Sequence, residues 1–298
     1  MAKTRVKAFV QAGWMACLTI FVACKSDGAG SRNSEHRSVS AVEEKSLVAE
    51  EKPVPAPKLD IPEEMVLIPG AEIRFDRAGD ADAKPTELVR IDPFLIDRLE
   101  ATVAEYLACR ESGACTSPID RTPQCNVSRA RQDHPINCIS WHEAQRYCAS
   151  KNKRLPSSAE WELAARGTDQ RHYPWGNAGP AEQLCWQGRK KKTRDTTCPV
   201  GSFAEGSSPY GVLDMAGNVA EWTSTIVDGV YPQPAYDTRG GGYFWEQLDS
   251  LSPDDTSVRA DSSGGLAAGA TDPLVGVRCA RSVPSRVTEA PLEPSGGR

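Results

Sequence analysis

The sequence has only four histidines in 298 residues, His36, His134, His142 and His172, and no two of them stand at i, i+4 or H-x-H spacing. A histidine-built metal triad or a zincin-type helix has nothing to start from. Also missing are the S-x-x-K, G-x-S-x-G and P-loop signatures, which takes away the common serine-acylation and phosphate-cradling chemistries. No C-x-x-C pair occurs, so zinc-ribbon spacing is absent too. No apolar run reaches the roughly 20 residues that span a bilayer. Basic charge is not in excess: 35 Lys+Arg stand against 40 Asp+Glu, and a net charge of -5 builds no field for nucleic acid, so no nucleic-acid partner is expected.

What is present begins with an export signal. Lys3, Arg5 and Lys7 precede a mostly apolar stretch from Ala8 to Ala23, interrupted by Gln11, Gly13 and Thr19. This is the charge and length of a secretory signal rather than of a membrane span. It ends in Phe21-Val22-Ala23-Cys24, which resembles a bacterial lipobox with Cys24 as the lipid-bearing residue, although Phe21 stands where Leu is usual. An ordinary cleaved signal with an incidental cysteine is the alternative, and either gives export. Residues 1–23 are thus expected to be a signal peptide, and the membrane to be a partner through an N-terminal lipid.

Residues 24–62 are rich in Ser, Glu, Lys, Ala and Pro and contain no aromatic residue, the composition of a disordered tether. As a coil such a segment spans roughly 35 Å. The last stretch, 285–298, has similar composition and reads as a flexible tail. Between them, residues 63–284 make one domain. Met65 to Ile68, Leu88 to Ile91 and Phe94 to Ile96 read as strands bounded by Pro69-Gly70 and Pro93. Three capping boxes announce helices: Thr102 with Glu105, Ser140 with Glu143, and Ser157 with Glu160. The second helix brings Trp141, Ala144 and Cys148 to one face, the third Trp161, Ala164 and Ala165 before Gly167, and both faces should be core. Beyond Gly167 the chain is rich in Gly, Pro, Ser and Trp with little periodicity, which predicts a compact but irregular region. Of ten cysteines, loss of Cys17 with the signal and lipidation of Cys24 leaves eight, a number suited to an oxidising compartment.

The run from Asn152 to Gly167, NKRLPSSAEWELAARG, resembles the G-K-R-L-P-T-E-A-E-W-E-A-A-R-G pattern of the formylglycine-generating, or sulfatase-modifying factor, family. So do Tyr173-Pro174-Trp175-Gly176, the run from Ser208 to Trp222 (SPYGVLDMAGNVAEW), Met65 to Gly70, Arg239-Gly240-Gly241-Gly242 and Gly276-Val277-Arg278-Cys279-Ala280. They follow the family's order over roughly residues 63 to 282. The resemblance implies a single irregular α+β domain, distantly like the C-type lectin fold, with a small sheet and frequently calcium. It does not by itself imply an activity, because one fold hosts several functions.

In the oxidase branch two cysteines after the glycine-rich turn bind copper(I). Aligned on Gly240-Gly241-Gly242-Tyr243, those positions fall near Trp245 and Ser250, and no cysteine stands between Cys198 and Cys279. Indole and hydroxyl do not replace soft thiolates toward copper(I), so no catalytic residue is assigned and neither copper nor iron is expected. The resemblance implies calcium at Asp214, the carbonyls of Gly217 and Val219, and Glu221, since hard oxygen donors suit that ion. Leu184 stands where a ligand of a second family calcium site would be. The resemblance also implies a Cys148–Cys279 disulfide. Sequence neighbours point to Cys109 with Cys115, Cys125 with Cys138 and Cys185 with Cys198. The last pair encloses a basic loop, Arg189-Lys190-Lys191-Lys192 with Arg194, most simply a solvated face. Asn126-Val127-Ser128 matches a glycosylation acceptor that a bacterial lipoprotein would not use.

These readings converge on a lipid-anchored envelope protein, its domain in the periplasm or at the cell surface. They favour a non-catalytic module that holds a protein or glycan partner over an oxidoreductase acting on a protein cysteine.

Overall fold

Short apolar runs bounded by proline set the first pairings. β1 (Met65–Ile68) runs antiparallel to β4 (Phe94–Asp97), with Met65 opposite Asp97 and Ile68 opposite Phe94, and β9 (Ala280–Ser282) joins the other side of β4. Met65, Ile68, Phe94, Leu95 and Ile96 are all buried there. β2 (Ala71–Phe75) and β3 (Glu87–Ile91) form a separate two-stranded sheet. Its inward residues are Ile73, Phe75 and Ile91, while Glu72, Arg74 and Arg90 face solvent, the period-two pattern of a half-buried strand. The structure is a computed structural model that describes residues 59–75, 87–116, 123–127, 131–186, 196–227, 233–243, 258–260 and 263–284. The signal peptide, Cys24, most of the tether, the basic loop from Arg189 to Arg194, Trp245, Ser250 and the tail lie outside the described residues.

All three capping boxes are present and start helices at the boxed residues. Thr102, Ser140 and Ser157 each accept from the backbone N–H three residues on, and Glu105, Glu143 and Glu160 each reach back to the capping N–H. Each satisfies two backbone groups that a helix start leaves without a partner. The helices are α1 (Val103–Glu111), α2 (Trp141–Ser150) and α3 (Ser158–Arg166). Trp141, Ala144 and Cys148 of α2 and Trp161, Ala164 and Ala165 of α3 are buried. α3 stops at Gly167, whose φ of 67° is costly for any residue with a side chain.

The region beyond Gly167 is more regular than its composition predicts. A four-stranded sheet is built there in the order β7 (Ser263–Ala267), β6 (Ala235–Arg239), β5 (Ala220–Val227), β8 (Val275–Gly276), with β8 parallel to β5 and the rest antiparallel. A register shift between Trp222 and Ile226 bends β5, as a bulge does. β5 and β6 are joined by a short connection, while β7 and β8 reach the sheet from farther along the chain. One core cluster gathers Tyr106, Ile139, Trp141, Tyr147, Trp222 and Val277 between α1, α2 and this sheet. A second gathers Ile68, Phe94, Ile96, Trp161, Leu163 and Met215 around α3.

Four disulfides staple the domain: Cys109–Cys115, Cys125–Cys138, Cys148–Cys279 and Cys185–Cys198. The third closes 131 residues and ties α2 to the segment leading into β9. On the chain-entropy account it removes on the order of 4–5 kcal/mol from the unfolded state. Disulfides on this scale mark an extracytoplasmic domain. No helix among the described residues is long and apolar enough to cross a membrane.

Candidate functional site

The segment from Asp214 to Glu221 forms a tight loop running into β5. Asp214, Gly217 and Asn218 have φ of 57°, 77° and 58°, so the loop turns through the left-handed region three times. Gly217 is required twice over, because a Cβ there would come within 2.6 Å of the Cys185 carbonyl. Backbone bonds fix the loop: Gly217 N–H donates to the Gly240 carbonyl at 2.9 Å and Asn218 N–H to Cys185 at 2.8 Å. The Asn218 side chain joins three elements. Its Oδ1 accepts from Cys198 N–H at 2.9 Å and its Nδ2 donates to Glu100 Oε2 at 2.5 Å. Glu100 Oε1 also accepts from Val219 N–H at 3.2 Å.

At the centre lies Arg278, fully buried. It grips Glu221 with Nε and Nη2 at 2.7–3.0 Å and donates to the carbonyls of Asp97 and Leu213 at 3.0 and 2.8 Å. The second Glu221 oxygen accepts from Trp161 Nε1 at 2.6 Å. Asp214 accepts from Gly201 N–H at 2.5 Å. Burial, then the charges of Asp214 and Glu221, push the Glu100 carboxyl well above the usual carboxylate range. Burial raises Asp214 as well, though Gly201 N–H and Arg278 oppose it. Burial works against the Arg278 charge, but Glu221 outweighs it, with Glu100 and Asp214 adding, and the guanidinium is held more firmly protonated. Glu221 is the acid bonded to the guanidinium, and Glu100 and Asp214 act on it through space.

These are the residues read from the sequence as a calcium site. Asp214 and the carbonyls of Gly217 and Val219 share one loop, and their oxygens are of the hard type calcium takes. Glu221 has both oxygens engaged, so an ion would share that carboxylate with Arg278. Among the described residues no three His, Cys, Asp or Glu side chains gather to hold a metal by themselves, which leaves backbone carbonyls as necessary donors.

The glycine-rich turn packs behind this loop. Arg239 is buried, bonded to Asp237 at 2.7 Å and Glu162 at 3.2 Å, and its guanidinium lies over the Phe75 ring. Gly240, at φ 95°, leaves room for Trp161, which a Cβ would approach to 3.1 Å. The three described histidines have separate surroundings. His134 Nδ1 contacts Thr197 Oγ1 at 2.8 Å, His142 stands edge-on to Trp141, and His172 is exposed. Asn126 is wholly buried, with its side chain bonded to Pro135, Thr197 and Arg131.

Two features escaped the sequence reading. Glu100, between Leu99 and Ala101, carries no local signal of its role, since its partners lie more than a hundred residues away. Beside it opens a cleft of about 320 Å³ between the β4–α1 connection and the end of α2, lined by Asp97, Glu100, Tyr147, Lys151 and Lys153 among others. Its charges are largely matched: Lys153 bonds Asp97 at 2.6 Å and approaches Glu64 at 3.4 Å.

An irregular α+β fold with an Asn-centred loop, a buried Glu-Arg pair beneath it and a glycine-rich turn behind defines a domain of the formylglycine-generating type. The chain belongs to that family: residues 49–283 match the Sulfatase-modifying factor enzyme 1-like domain. It is 31% identical over 220 residues to a formylglycine-generating enzyme from Thermomonospora curvata, covering 55% of this chain and 71% of the relative. It is 39% identical over 105 residues to an inactive C-alpha-formylglycine-generating enzyme 2 from Bos taurus, covering 33% of this chain but 35% of that protein. Among solved structures, PvdO from Pseudomonas aeruginosa superimposes with a TM-score of 0.57 at 22% identity, over 74% of this chain and 94% of that one. Relatives therefore include both active and inactive proteins.

Proposed function

We propose that this chain is a bacterial envelope lipoprotein, held by lipid on Cys24, whose domain is a non-catalytic binding or scaffold module for a protein or glycan partner. One observation carries the reading. The eight cysteines of the domain are all closed into disulfides, and the two positions where the oxidase branch supplies thiolates fall near Trp245 and Ser250. Copper(I) needs soft sulfur donors, and no thiol remains in the domain to give them. The test is a copper(I) titration of the chain, with oxygen uptake on a cysteine-containing peptide. We expect neither stoichiometric binding nor turnover. Either would favour the second reading, an oxidoreductase acting on a protein cysteine, which the 31% identity to an active enzyme supports.

Calcium, in the same proposal, is held by Asp214 and the carbonyls of Gly217 and Val219, with Glu221 shared with Arg278. Its part is structural: it offsets carboxylate charge and stiffens the loop that supports the glycine-rich turn. A chelator should lower the melting temperature of the chain and added calcium restore it, and Asp214→Ala should remove the response. A melting temperature indifferent to both would reject the ion.

A further inference from the structure

A strand at the rim of a sheet presents unpaired N–H and C=O groups, and proteins guard such rims with proline, charge or brevity. The other rims described here have guards. β1 is followed at once by Pro69, β2 carries exposed Glu72 and Arg74, β3 carries exposed Arg90, β9 carries Arg281, and β8 is two buried residues long. β7 differs. It is the terminal strand of the four-stranded sheet and reads Ser-Gly-Gly-Leu-Ala, with neither proline nor charge. It pairs with β6 in unbroken register from Arg239 opposite Ser263 to Ala235 opposite Ala267. None of its five residues is buried. Among the described strands it is the one rim of useful length left unguarded.

The surface beside it is apolar. Ile226, Tyr236 and Leu266 are direct cross-strand partners, so they form one row across β5, β6 and β7. Ile226 is 53% exposed. Tyr236 and Leu266 are half-buried, and the Tyr236 ring stacks on Trp141 at 3.8 Å.

We propose that β7 is a docking edge for an extended, uncharged peptide segment of a partner protein. The segment adds as a further strand and lays an apolar side chain against Leu266 at the rim. Main-chain hydrogen bonds supply affinity in this mode, and alternate side chains supply selectivity. A second copy of this chain is a poor occupant, because five residues with two glycines fall far short of the roughly 1,200 Å² that a stable interface buries. The row holds no charge, so a charged segment would lose its hydration without a partner. The proposal rests on the binding-module reading and names its partner class.

The test places a guard on the edge. The atoms nearest a Cβ at Gly265 belong to Val227, in ordinary contact at 3.8 to 3.9 Å, so Gly265→Lys should be accommodated while adding charge. Ser263→Lys is the second variant. A displayed library of random heptapeptides is selected on the full chain, and the peptides obtained are titrated against wild type and both variants, with hydrogen exchange followed at residues 263–267. We expect binding about tenfold or more weaker to the lysine variants, slowed exchange at 263–267, and melting temperatures within about 2 °C of wild type. Peptides that bind all three proteins equally, or slow exchange elsewhere, overturn the proposal. So does a concentration-dependent dimer that Gly265→Lys abolishes. Copper(I) binding in the earlier titration would reject the non-catalytic reading and leave this result intact, so the two failures are told apart.

Discussion

Replacing Arg278 with methionine is the sharpest perturbation of this fold. The side chain is of similar length, so little cavity opens, but the charge and its donated bonds vanish. Glu221 then loses its guanidinium while buried to 1% side-chain exposure, and Glu100 and Asp214 lose the one cation among them. The carbonyls of Asp97 and Leu213 lose donors as well. Removing one partner of a buried pair costs about 3–5 kcal/mol because the other charge is left uncompensated. At about 2–4 °C per kcal/mol for a domain of this size, the melting temperature should fall by roughly 6–20 °C. Urea unfolding of Arg278→Met should show a lower midpoint at constant slope. Adding Glu221→Gln removes the stranded charge, so the double variant should be more stable than the two single losses predict, by about 1–3 kcal/mol. A loss under about 1 kcal/mol, or strict additivity of the pair, would refute the view that this ion pair anchors the loop.

Three further outcomes follow from the same geometry. Serine at both Cys148 and Cys279 should cost on the order of 4 kcal/mol in denaturant unfolding, while leaving far-ultraviolet dichroism unchanged under native conditions. His134 is held below the usual histidine value by burial, with Arg131 adding to the effect and Asp133 opposing it, and Thr197 Oγ1 faces its ring. The unfolded chain therefore takes up this proton first, so the contribution of His134 is full above pH 6.5, the ordinary value, and erodes as pH falls below it. His134→Gln should flatten that part of a melting-temperature profile against pH. Ser157→Ala removes the cap of α3 and should cost about 1 kcal/mol, read as a midpoint shift in urea.

How much of this was legible in the sequence depends on the range of the interactions. The capping boxes at Thr102, Ser140 and Ser157 are local in the chain, and each marks its helix to the residue. β1, β3 and β4 were visible because short apolar runs and flanking prolines are local too. β5 to β9 were not, since Trp222 is placed by the Ile139 carbonyl ahead of α2, and Asp237 and Arg239 by Ser158 and Glu162 of α3. Motif resemblance recovered the Asp214 to Glu221 loop. It gave no hint that Arg278, named only as part of a motif, is the cation under that loop, or that Glu100 ties it to the β4–α1 connection.

That last gap bears on how the motifs should be interpreted. Glu160 closes a capping box and pairs with Arg154. Trp161 and Arg278 both bind Glu221. Asn218 joins Cys198 to Glu100, and Gly217 and Gly240 permit close approach of backbone or ring. These motif residues are therefore engaged inside the domain, with their polar atoms already bonded. Such residues specify the scaffold and are indifferent to whether chemistry occurs on it. The proposal of a non-catalytic module rests instead on the short stretch beyond Tyr243, where Trp245 and Ser250 stand and no thiol does. On the function proposed above, the motifs preserve a shape that a partner could use without any reactive sulfur.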